Sequence, residues 1–582
     1  MRPHESARAE KKPSTVALSP HPLLYSRPVL GAGPAARLDR SYLIPLLLFT
    51  ASAAFTLWRN TEVGVLVDIA YVLNIGTRIA AGDVPYAQFP LAQAPLEFLV
   101  QALLIRVFGP HYVVQIVYAT ILGGLATALT YTIARRLLEG AVAQPRVVAT
   151  ILAVPLIPLG IYAIYPHPFY DPDACLVILL GIAAIFVARD RPTRVGWLLA
   201  GALLAVPVFL KQNIGGAFLV LISLALGIEA LWRAPRRAGF RWCLAGLTGG
   251  LSLEILALHL VVGIDNYVRW AWTFALSGRG VTTERLREFA DLRLLIPAIL
   301  VLLLVLASQR LAPLTRAAIF GAGLGLFAIW VALASTLVGA PLLFPSILVA
   351  ASALGLARAT RDGPSFETLL PLVLTGTTLG TLQSQGLAGS TFGIFPLLVV
   401  ALASIVRDLA FFVDRPLLIA PLAGAVVALV LTVSGGIYTL TNVRLLFVDV
   451  NAPGPVARST FPSLAGLSAR GPYIGELDMM LNWAHDNVPP DDAVVFLPGE
   501  DPSFYALGWR PRLPSVYFYD VATPYSPAEL ARIANEIGLR WVFVKDRLQL
   551  ADEPPLEKAL VAALTERATL VAQVGPYRVF KR

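Results

Sequence analysis

An aspartate just beyond the first long apolar segment is the side chain best placed for chemistry. Asp68 stands among apolar residues, a few positions after the segment Leu43–Leu57. A carboxylate that has lost part of its hydration is a stronger base, which suits it to remove a proton from a hydroxyl group. A structural alternative is that Asp68 caps or pairs within its own loop, for instance with Arg78. Asp68 is therefore our candidate general base.

Several cations could bind an anion, and each has a structural alternative. Lys211 follows an apolar stretch, where its ammonium could contact a phosphate or could instead snorkel to the interface. Arg269 and Arg279 lie near tryptophans, a pattern that fits either anion binding or anchoring at headgroup level. His167 could hydrogen-bond a phosphate oxygen or could simply end a helix.

Two further carboxylates, Asp171 and Asp173, open an apolar segment. The order Tyr170-Asp171-Pro172-Asp173 fits a helix start, so we expect one aspartate to cap the helix and the other to make a polar contact inside the bundle. This close pair is also where a divalent ion could bind. Because the sequence has no Walker motif, no His-Glu-x-x-His and no Cys/His cluster, we predict no required metal or cofactor.

The elements that must hold these residues are membrane helices. The sequence is 57% hydrophobic and 14% charged, and long uncharged blocks such as Leu417–Val433 approach the ~20 residues that cross a bilayer. Basic residues cluster on alternate loops, so the net charge of +9 reflects topology and not nucleic-acid binding. We predict about thirteen spans, an odd number that places the C-terminus outside. They are 42–58, 112–134, 147–165, 173–188, 195–210, 214–232, 242–263, 292–308, 315–338, 342–357, 366–382, 391–406 and 416–438.

The predicted organisation has three parts. Residues 1–40 are polar, basic and rich in proline, which predicts a disordered cytoplasmic tail. Residues 41–440 form the membrane module, with long external loops at 58–110 and 264–292; Leu96–Phe108 is expected to be a helix lying at the interface. Residues 441–582 alternate helix-like and strand-like stretches, which predicts an extracytoplasmic α/β domain. Its predicted strands are Ala493–Leu497, Ser515–Tyr519, Trp541–Lys545, Leu570–Val574 and Tyr577–Phe580, and its predicted helices are Gly475–Asp486, Pro527–Ile537 and Pro555–Leu564.

The order of these motifs resembles the GT-C superfamily of membrane glycosyltransferases. The nearest pattern is that of bacterial relatives similar to protein O-mannosyltransferases and to the lipid A aminoarabinose transferase. The resemblance covers roughly residues 40–440. It is carried by Asp68 with Tyr71, Gly82-x-x-Pro85-Tyr86-x-x-Phe89, Pro95-Leu96, Phe108-Gly109, His167-Pro-Phe-Tyr170-Asp171-Pro-Asp173 and Phe209-Leu-Lys211-Gln-Asn213.

The resemblance implies an inverting glycosyltransferase of the bacterial inner membrane. It would move a sugar from a polyprenyl-phosphate carrier to an extracytoplasmic glycan, lipid or protein. Asp68 would be the catalytic base. The donor phosphate would be bound by Lys211, His167, Arg279 and Arg269, and the substrate by Tyr71, Tyr86, Tyr170 and Asp171.

Two positions depart from the family pattern, and two other functions stay open. Ile69 stands where many relatives have a second carboxylate, so Glu62 or Asp83 would have to supply one, and Gln93 stands where relatives often have lysine. A transporter or flippase of lipid-linked saccharides is the alternative function, although the two halves show no repeat. An inactive scaffold in envelope assembly is a third.

Overall fold

A computed structural model describes residues 42–62, 67–278, 343–385, 393–412, 419–440, 454–518, 523–548 and 555–582, together with three isolated positions between 278 and 343. The predicted tail 1–40 and most of the predicted spans 292–308 and 315–338 lie outside these residues, as does Arg279. The predicted number of about thirteen spans therefore stays a prediction.

The membrane part is helical. Its helices are α1 (Leu43–Arg59), α2 (Val67–Ala80), α3 (Leu96–Phe108), α4 (Tyr112–Leu138), α5 (Pro145–Ala153), α6 (Leu156–Leu159), α7 (Tyr170–Asp190), α8 (Arg194–Ala205), α9 (Pro207–Leu210), α10 (Gln212–Trp232), α11 (Arg237–Val262), α12 (Ile264–Tyr267), a π-helical turn (Val268–Phe274), α13 (Ala275–Gly278), α14 (Leu343–Asp362), α15 (Phe366–Gln385), α16 (Phe395–Phe412) and α17 (Ile419–Leu440).

Within the described ranges, five helices are long and apolar enough to cross a membrane. They are Tyr112–Leu138, Tyr170–Asp190, Gln212–Trp232, Ala234–Val262 and Ala420–Ile437. On α11, large apolar side chains stay exposed, with Leu253 at 68% and Leu260 at 74%. A helix that leaves leucines uncovered by protein is suited to contact lipid.

Two predicted spans are interrupted by proline. The span predicted at 147–165 forms two helices, α5 and α6, which are separated at Pro155. Helix α6 ends at Leu159, and residues 160–169 are irregular. The span predicted at 195–210 is divided before Pro207, which begins α9. Proline removes an intrahelical hydrogen bond and crowds the preceding turn. The second interruption matters for the site, because the next residue after α9 is Lys211.

The first external loop contains two helices that pack together. The helix predicted at Leu96–Phe108 is observed as α3 with the same bounds, and its position at the membrane interface stays a prediction. Gly76 of α2 lets the two helices approach closely, because a Cβ there would lie 3.0 Å from the Cβ of Gln101 on α3. The loop is therefore a packed layer over the bundle rather than an open connection.

Residues 454–582, here called the C-terminal segment, combine strands and helices. β1 (Val456–Arg458) pairs antiparallel with β2 (Ser468–Arg470). A second sheet has the order β3-β4-β6-β5, with β3 parallel to β4 and the other neighbours antiparallel. Its strands are β3 (Val494–Leu497), β4 (Trp541–Lys545), β5 (Thr569–Val574) and β6 (Tyr577–Lys581), and the helices are α18 (Tyr473–Asn487), α19 (Ser503–Leu507), α20 (Pro527–Glu536) and α21 (Pro555–Thr565).

Most predicted elements of this segment match, and one is wrong. No strand forms at the described part of the predicted strand Ser515–Tyr519. Phe518 makes one backbone bond, to the carbonyl of Pro498, and Pro514 just before the stretch has no amide hydrogen to extend a ladder. The hairpin β1/β2 and the short helix α19 were not predicted. Residues 44–582 form one compact unit, so the C-terminal segment packs against the membrane part.

Candidate active site

A buried ion pair joins two of the predicted site residues. Lys211 has extended backbone angles (φ −149°, ψ 115°) at the junction of α9 and α10. Its Nζ lies 2.6 Å from both carboxylate oxygens of Asp171, in the first turn of α7. The Asp171 side chain is fully buried and that of Lys211 is 9% exposed. The ion pair with Asp171 therefore offsets the burial of this ammonium.

The expected helix cap is wrong. α7 begins after Phe169, and no side chain caps it. Asp171 pairs with Lys211, and the two oxygens of Asp173 accept hydrogen bonds from Tyr162, at 2.5 Å, and from Tyr118. Proline in the first turn removes one of the amides that a cap would satisfy, and both carboxylates turn to tertiary partners.

Glu97 is a buried acid that the sequence reasoning did not assign to the site. It lies in the first turn of α3, is fully buried and accepts a hydrogen bond of 2.8 Å from Gln101. Burial raises the pKa of Glu97 well above its ordinary value, and the nearby Asp173 carboxylate raises it further. The available signal was an acidic residue in the first turn of a short and mostly apolar helix, four positions before Gln101.

Aromatic side chains connect the ion pair to the first external loop. The Tyr170 ring centroid lies 4.7 Å from Nζ of Lys211, and the Tyr170 and Phe98 centroids are 6.4 Å apart. Phe98 packs edge-on against Tyr71 at 5.8 Å. We call Lys211, Asp171, Tyr170, Phe98 and Tyr71 the polar–aromatic cluster. Four of its five members were predicted as site residues, and Phe98 was missed.

Gln93 joins two predicted tyrosines. The Tyr71 hydroxyl donates to Oε1 of Gln93 at 3.1 Å, and the Tyr86 hydroxyl donates to its carbonyl oxygen at 2.6 Å. Tyr86 has a positive φ of 64°, unusual for a residue with a side chain, and its ring packs edge-on against Tyr267 at 5.3 Å. Gln93 thus links the two tyrosines through its neutral side chain and its backbone carbonyl.

Gln212, next to Lys211, ties both external loops to the bundle. Its Nε2 donates to the carbonyl oxygens of Ala92, at 3.0 Å, and Ala271, at 2.8 Å. Its Oε1 accepts from the amide of Ala94 at 3.1 Å. The sequence reasoning treated Gln212 as a spacer in the motif, because its partners lie far away along the chain.

Asp68 lies in the first turn of α2, and its side chain falls outside the described residues. Its role as base stays a prediction. The alternative pairing with Arg78 is not supported, because Nε of Arg78 lies 2.7 Å from Oδ2 of Asp83. Ten helical residues, about 15 Å, also separate positions 68 and 78. Asp83 is therefore committed to Arg78 and is not a spare second carboxylate.

The C-terminal segment holds the helix that carries Asp68. Nδ2 of Asn74 donates to the carbonyl of Asp501 at 2.9 Å, and its Oδ1 accepts from the amide of Tyr505 at 3.1 Å. One turn further, Arg78 donates to the carbonyl of Leu513 at 2.6 Å. Residues four apart share a helix face, so one face of α2 is fixed by backbone atoms of the C-terminal segment.

The remaining predicted phosphate ligands have different surroundings. His167 is fully buried, with Nδ1 2.6 Å from the Tyr112 hydroxyl. Arg269 is exposed, and its guanidinium lies 5.5 Å from the Trp270 ring centroid, an arrangement that suits interfacial anchoring and still leaves the cation open to an anion.

The carboxylates do not form a metal cluster in the described part of the chain. No group of three or more His, Cys, Asp or Glu side chains there is arranged to hold an ion. Of the two aspartates considered for a divalent ion, Asp171 pairs with Lys211 and Asp173 accepts hydrogen bonds from tyrosines.

Comparison with known proteins finds matches among solved structures alone. No family model and no curated protein matches the chain. ArnT from Cupriavidus metallidurans in the apo state is 14% identical, with a TM-score of 0.40 over 93% of this chain and 98% of that one. The same protein bound to undecaprenyl phosphate is 15% identical, with a TM-score of 0.39 over 92% and 97%. ArnT is a GT-C lipid A aminoarabinose transferase. TM-scores this low do not establish a shared fold or a shared activity. The function proposed below is therefore based on this chain's own residues.

Proposed function

We propose that this chain is an inverting glycosyltransferase that moves a sugar from a polyprenyl-phosphate carrier to an extracytoplasmic glycan, lipid or protein of the bacterial inner membrane. The observation that carries the proposal is the polar–aromatic cluster. It places a buried lysine, its aspartate and two tyrosines where the first external loop meets the bundle. The order of the family-like motifs supports the same activity.

The proposed reaction needs one base and one site for a leaving phosphate. Asp68 takes the proton of the acceptor hydroxyl, and the hydroxyl oxygen forms a bond to the anomeric carbon of the sugar. The bond from that carbon to the carrier phosphate breaks on the opposite face, and its electron pair leaves with the phosphate oxygen. Attack from the opposite face inverts the configuration at the anomeric carbon.

Lys211 is the proposed cation for the departing phosphate. In the structure its charge is balanced by Asp171, and its ammonium lies against the Tyr170 ring. An ammonium held in a dry site stabilises a developing negative charge more strongly than one in water. His167, Arg269 and Arg279 remain proposed phosphate ligands, with Arg269 the exposed one among the described residues.

The surroundings fit a lipid-linked donor. The apolar helices with exposed leucines provide a surface along which a polyprenyl tail can lie. Tyr71, Tyr86 and Tyr170 are proposed to line the sugar site, since aromatic rings stack well on the apolar faces of sugars.

Substitution of the proposed base tests the function. Purified Asp68→Asn protein in lipid nanodiscs would be incubated with a panel of polyprenyl-phosphate sugars and with envelope lipids and glycans as acceptors. We expect sugar transfer by the wild type and a loss of about 10²-fold or more in the variant. Asp265→Asn, at an exposed aspartate of the second external loop, is the matched control and should keep full activity.

Two outcomes would contradict the proposal. Full transfer by Asp68→Asn would remove this residue as the base. Movement of lipid-linked saccharides across vesicles, with no transfer by the wild type, would instead identify a transporter.

A further inference from the structure

A polar cavity of about 580 Å³ lies between the first external loop and the C-terminal segment. Arg78, Asp83 and Gln88 line it from the loop side. The opposite wall comes from three stretches of the C-terminal segment, around 491–493, 510–512 and 537–540. The volume falls within the range of small-molecule sites.

Most charges in the cavity wall are paired with each other. Asp83 binds both Arg78 and Arg510, and Arg540 pairs with Asp492 at 3.0 Å. Of these pairs, Asp83–Arg510 joins the two walls. Because each already has a partner, they do not by themselves indicate a ligand.

Arg512 and Asp491 are different. Both are exposed into the cavity, and neither has an ion pair or side-chain hydrogen bond with any residue in the described ranges. Pro511 fixes the backbone between Arg510 and Arg512, so the two guanidinium groups extend from a rigid tripeptide. The side chain of Arg510 also remains 45% exposed despite its contact with Asp83.

We propose that this cavity binds an acidic saccharide, one that carries a phosphate or carboxylate beside free hydroxyls. The planar guanidinium of Arg512 is suited to hold the anionic group in a bidentate manner. The carboxylate of Asp491 is an acceptor for sugar hydroxyls. An inorganic anion would satisfy the arginine and be repelled by the aspartate, whereas an acidic sugar uses both.

The cavity would recruit the acceptor, an inference that rests on the proposed function. Arg78 lines the cavity and lies ten helical residues after Asp68, which is about 15 Å along α2. At that distance the cavity would hold a part of the acceptor remote from the reacting hydroxyl. Binding there would lower the acceptor's KM and leave the chemical step unchanged.

Calorimetric titration of the full chain in nanodiscs tests the site without catalysis. The probes are glucose 6-phosphate, glucose and inorganic phosphate. We expect saturable binding of glucose 6-phosphate to the wild type, and an affinity about tenfold lower in Arg512→Ala and Asp491→Ala. Arg567→Ala is the matched control, because Arg567 is exposed in the same segment, outside the cavity wall, and has no ion-pair partner in the described part of the chain.

The titrations decide whether the site exists and which class of ligand it binds. Binding that is equal in Arg512→Ala and Arg567→Ala, or absent from the wild type, would overturn the site. Inorganic phosphate binding as tightly as glucose 6-phosphate would overturn the saccharide class. The inactive Asp68→Asn variant should bind the probe like the wild type. If the wild type binds the probe but transfers no sugar, the proposed transferase activity is wrong and the proposed binding site is retained.

Discussion

Two buried lysines in this chain make similar contacts and differ in one respect. Lys211 in the membrane part pairs with the carboxylate of Asp171. Lys545 on β4 pairs with two carboxylates, with Nζ 2.8 Å from Glu500 and 2.9 Å from Asp501. Each ammonium also lies near a tyrosine ring, at 4.7 Å from Tyr170 for Lys211. The difference is one of position, because Lys545 lies on a strand of the C-terminal segment and Lys211 at the junction of two membrane helices.

The surplus of negative charge keeps Lys545 ionised. Burial by itself lowers the pKa of Lys545, but Asp501 and Glu500 together hold it above its ordinary value. Tyr577 donates a hydrogen bond of 2.9 Å to the second oxygen of Asp501. The carbonyl of Asp501 accepts from Asn74 of α2. Lys545 therefore belongs to a support under α2, whereas Lys211, at a helix junction, is the cation that we propose to bind the substrate phosphate.

The largest predicted effect comes from Lys545→Met. The substitution takes from the buried Glu500 and Asp501 the ammonium that they share, so we expect the free energy of unfolding to fall by about 3–5 kcal/mol. Chemical unfolding of the protein in detergent measures this loss. Lys581→Met, at an exposed lysine on neighbouring β6, should change the midpoint little. If Lys545→Met and Lys581→Met have the same unfolding midpoint, the ion pairs of Lys545 do not stabilise the fold.

Lys211→Met should affect transfer more than folding. We expect activity to fall by about a hundredfold, because the phosphate loses its cation, with a smaller loss of stability than in Lys545→Met. The double variant Lys211→Met/Asp171→Asn removes the orphaned charge as well. It should recover most of the stability and none of the transfer, as measured by unfolding and activity side by side. Recovery of both would make the pair purely structural.

Asn74→Ala tests the link between the support and α2. Removal of its two hydrogen bonds frees one face of the helix that carries Asp68. We expect kcat to fall by about tenfold, with the KM for the donor unchanged, since slight misplacement of a base slows the chemical step. Asn487→Ala, at an exposed asparagine on α18, serves as the comparison. A change in KM alone would contradict a positioning role.

The smallest predicted effect is a loss of stability at alkaline pH. Burial raises the pKa of Tyr577 well above its ordinary value. Above pH about 10 the unfolded chain releases this proton while the folded chain retains it, so stability present below that pH is lost as the pH rises. The raised pKa of Lys545 acts in the same direction. Thermal unfolding between pH 8 and 11 should show a shallower decline in Tyr577→Phe, and no change in Tyr42→Phe, whose ring is exposed.

Local pattern alone determined many elements of the fold. Apolar length located the helices Tyr170–Asp190 and Gln212–Trp232, and the short amphipathic pattern gave the bounds of Leu96–Phe108. Strand β4 was predicted with its observed ends. These features depend on hydropathy and on backbone hydrogen bonds within a few residues, which sequence displays directly. Local pattern failed at Ser515–Tyr519, because strand formation depends on pairing with a distant segment, which local pattern does not reveal.

Only the tertiary structure decided the partners of the candidate site residues. Lys211 and Asp171 are 40 positions apart, and Asn74 and Asp501 are 427 positions apart. The sequence marked Lys211 and Asp171 as chemically capable, but the same residue types fit snorkelling and capping equally well. Which role prevails depends on how distant elements pack, because packing alone sets which buried charge meets which partner.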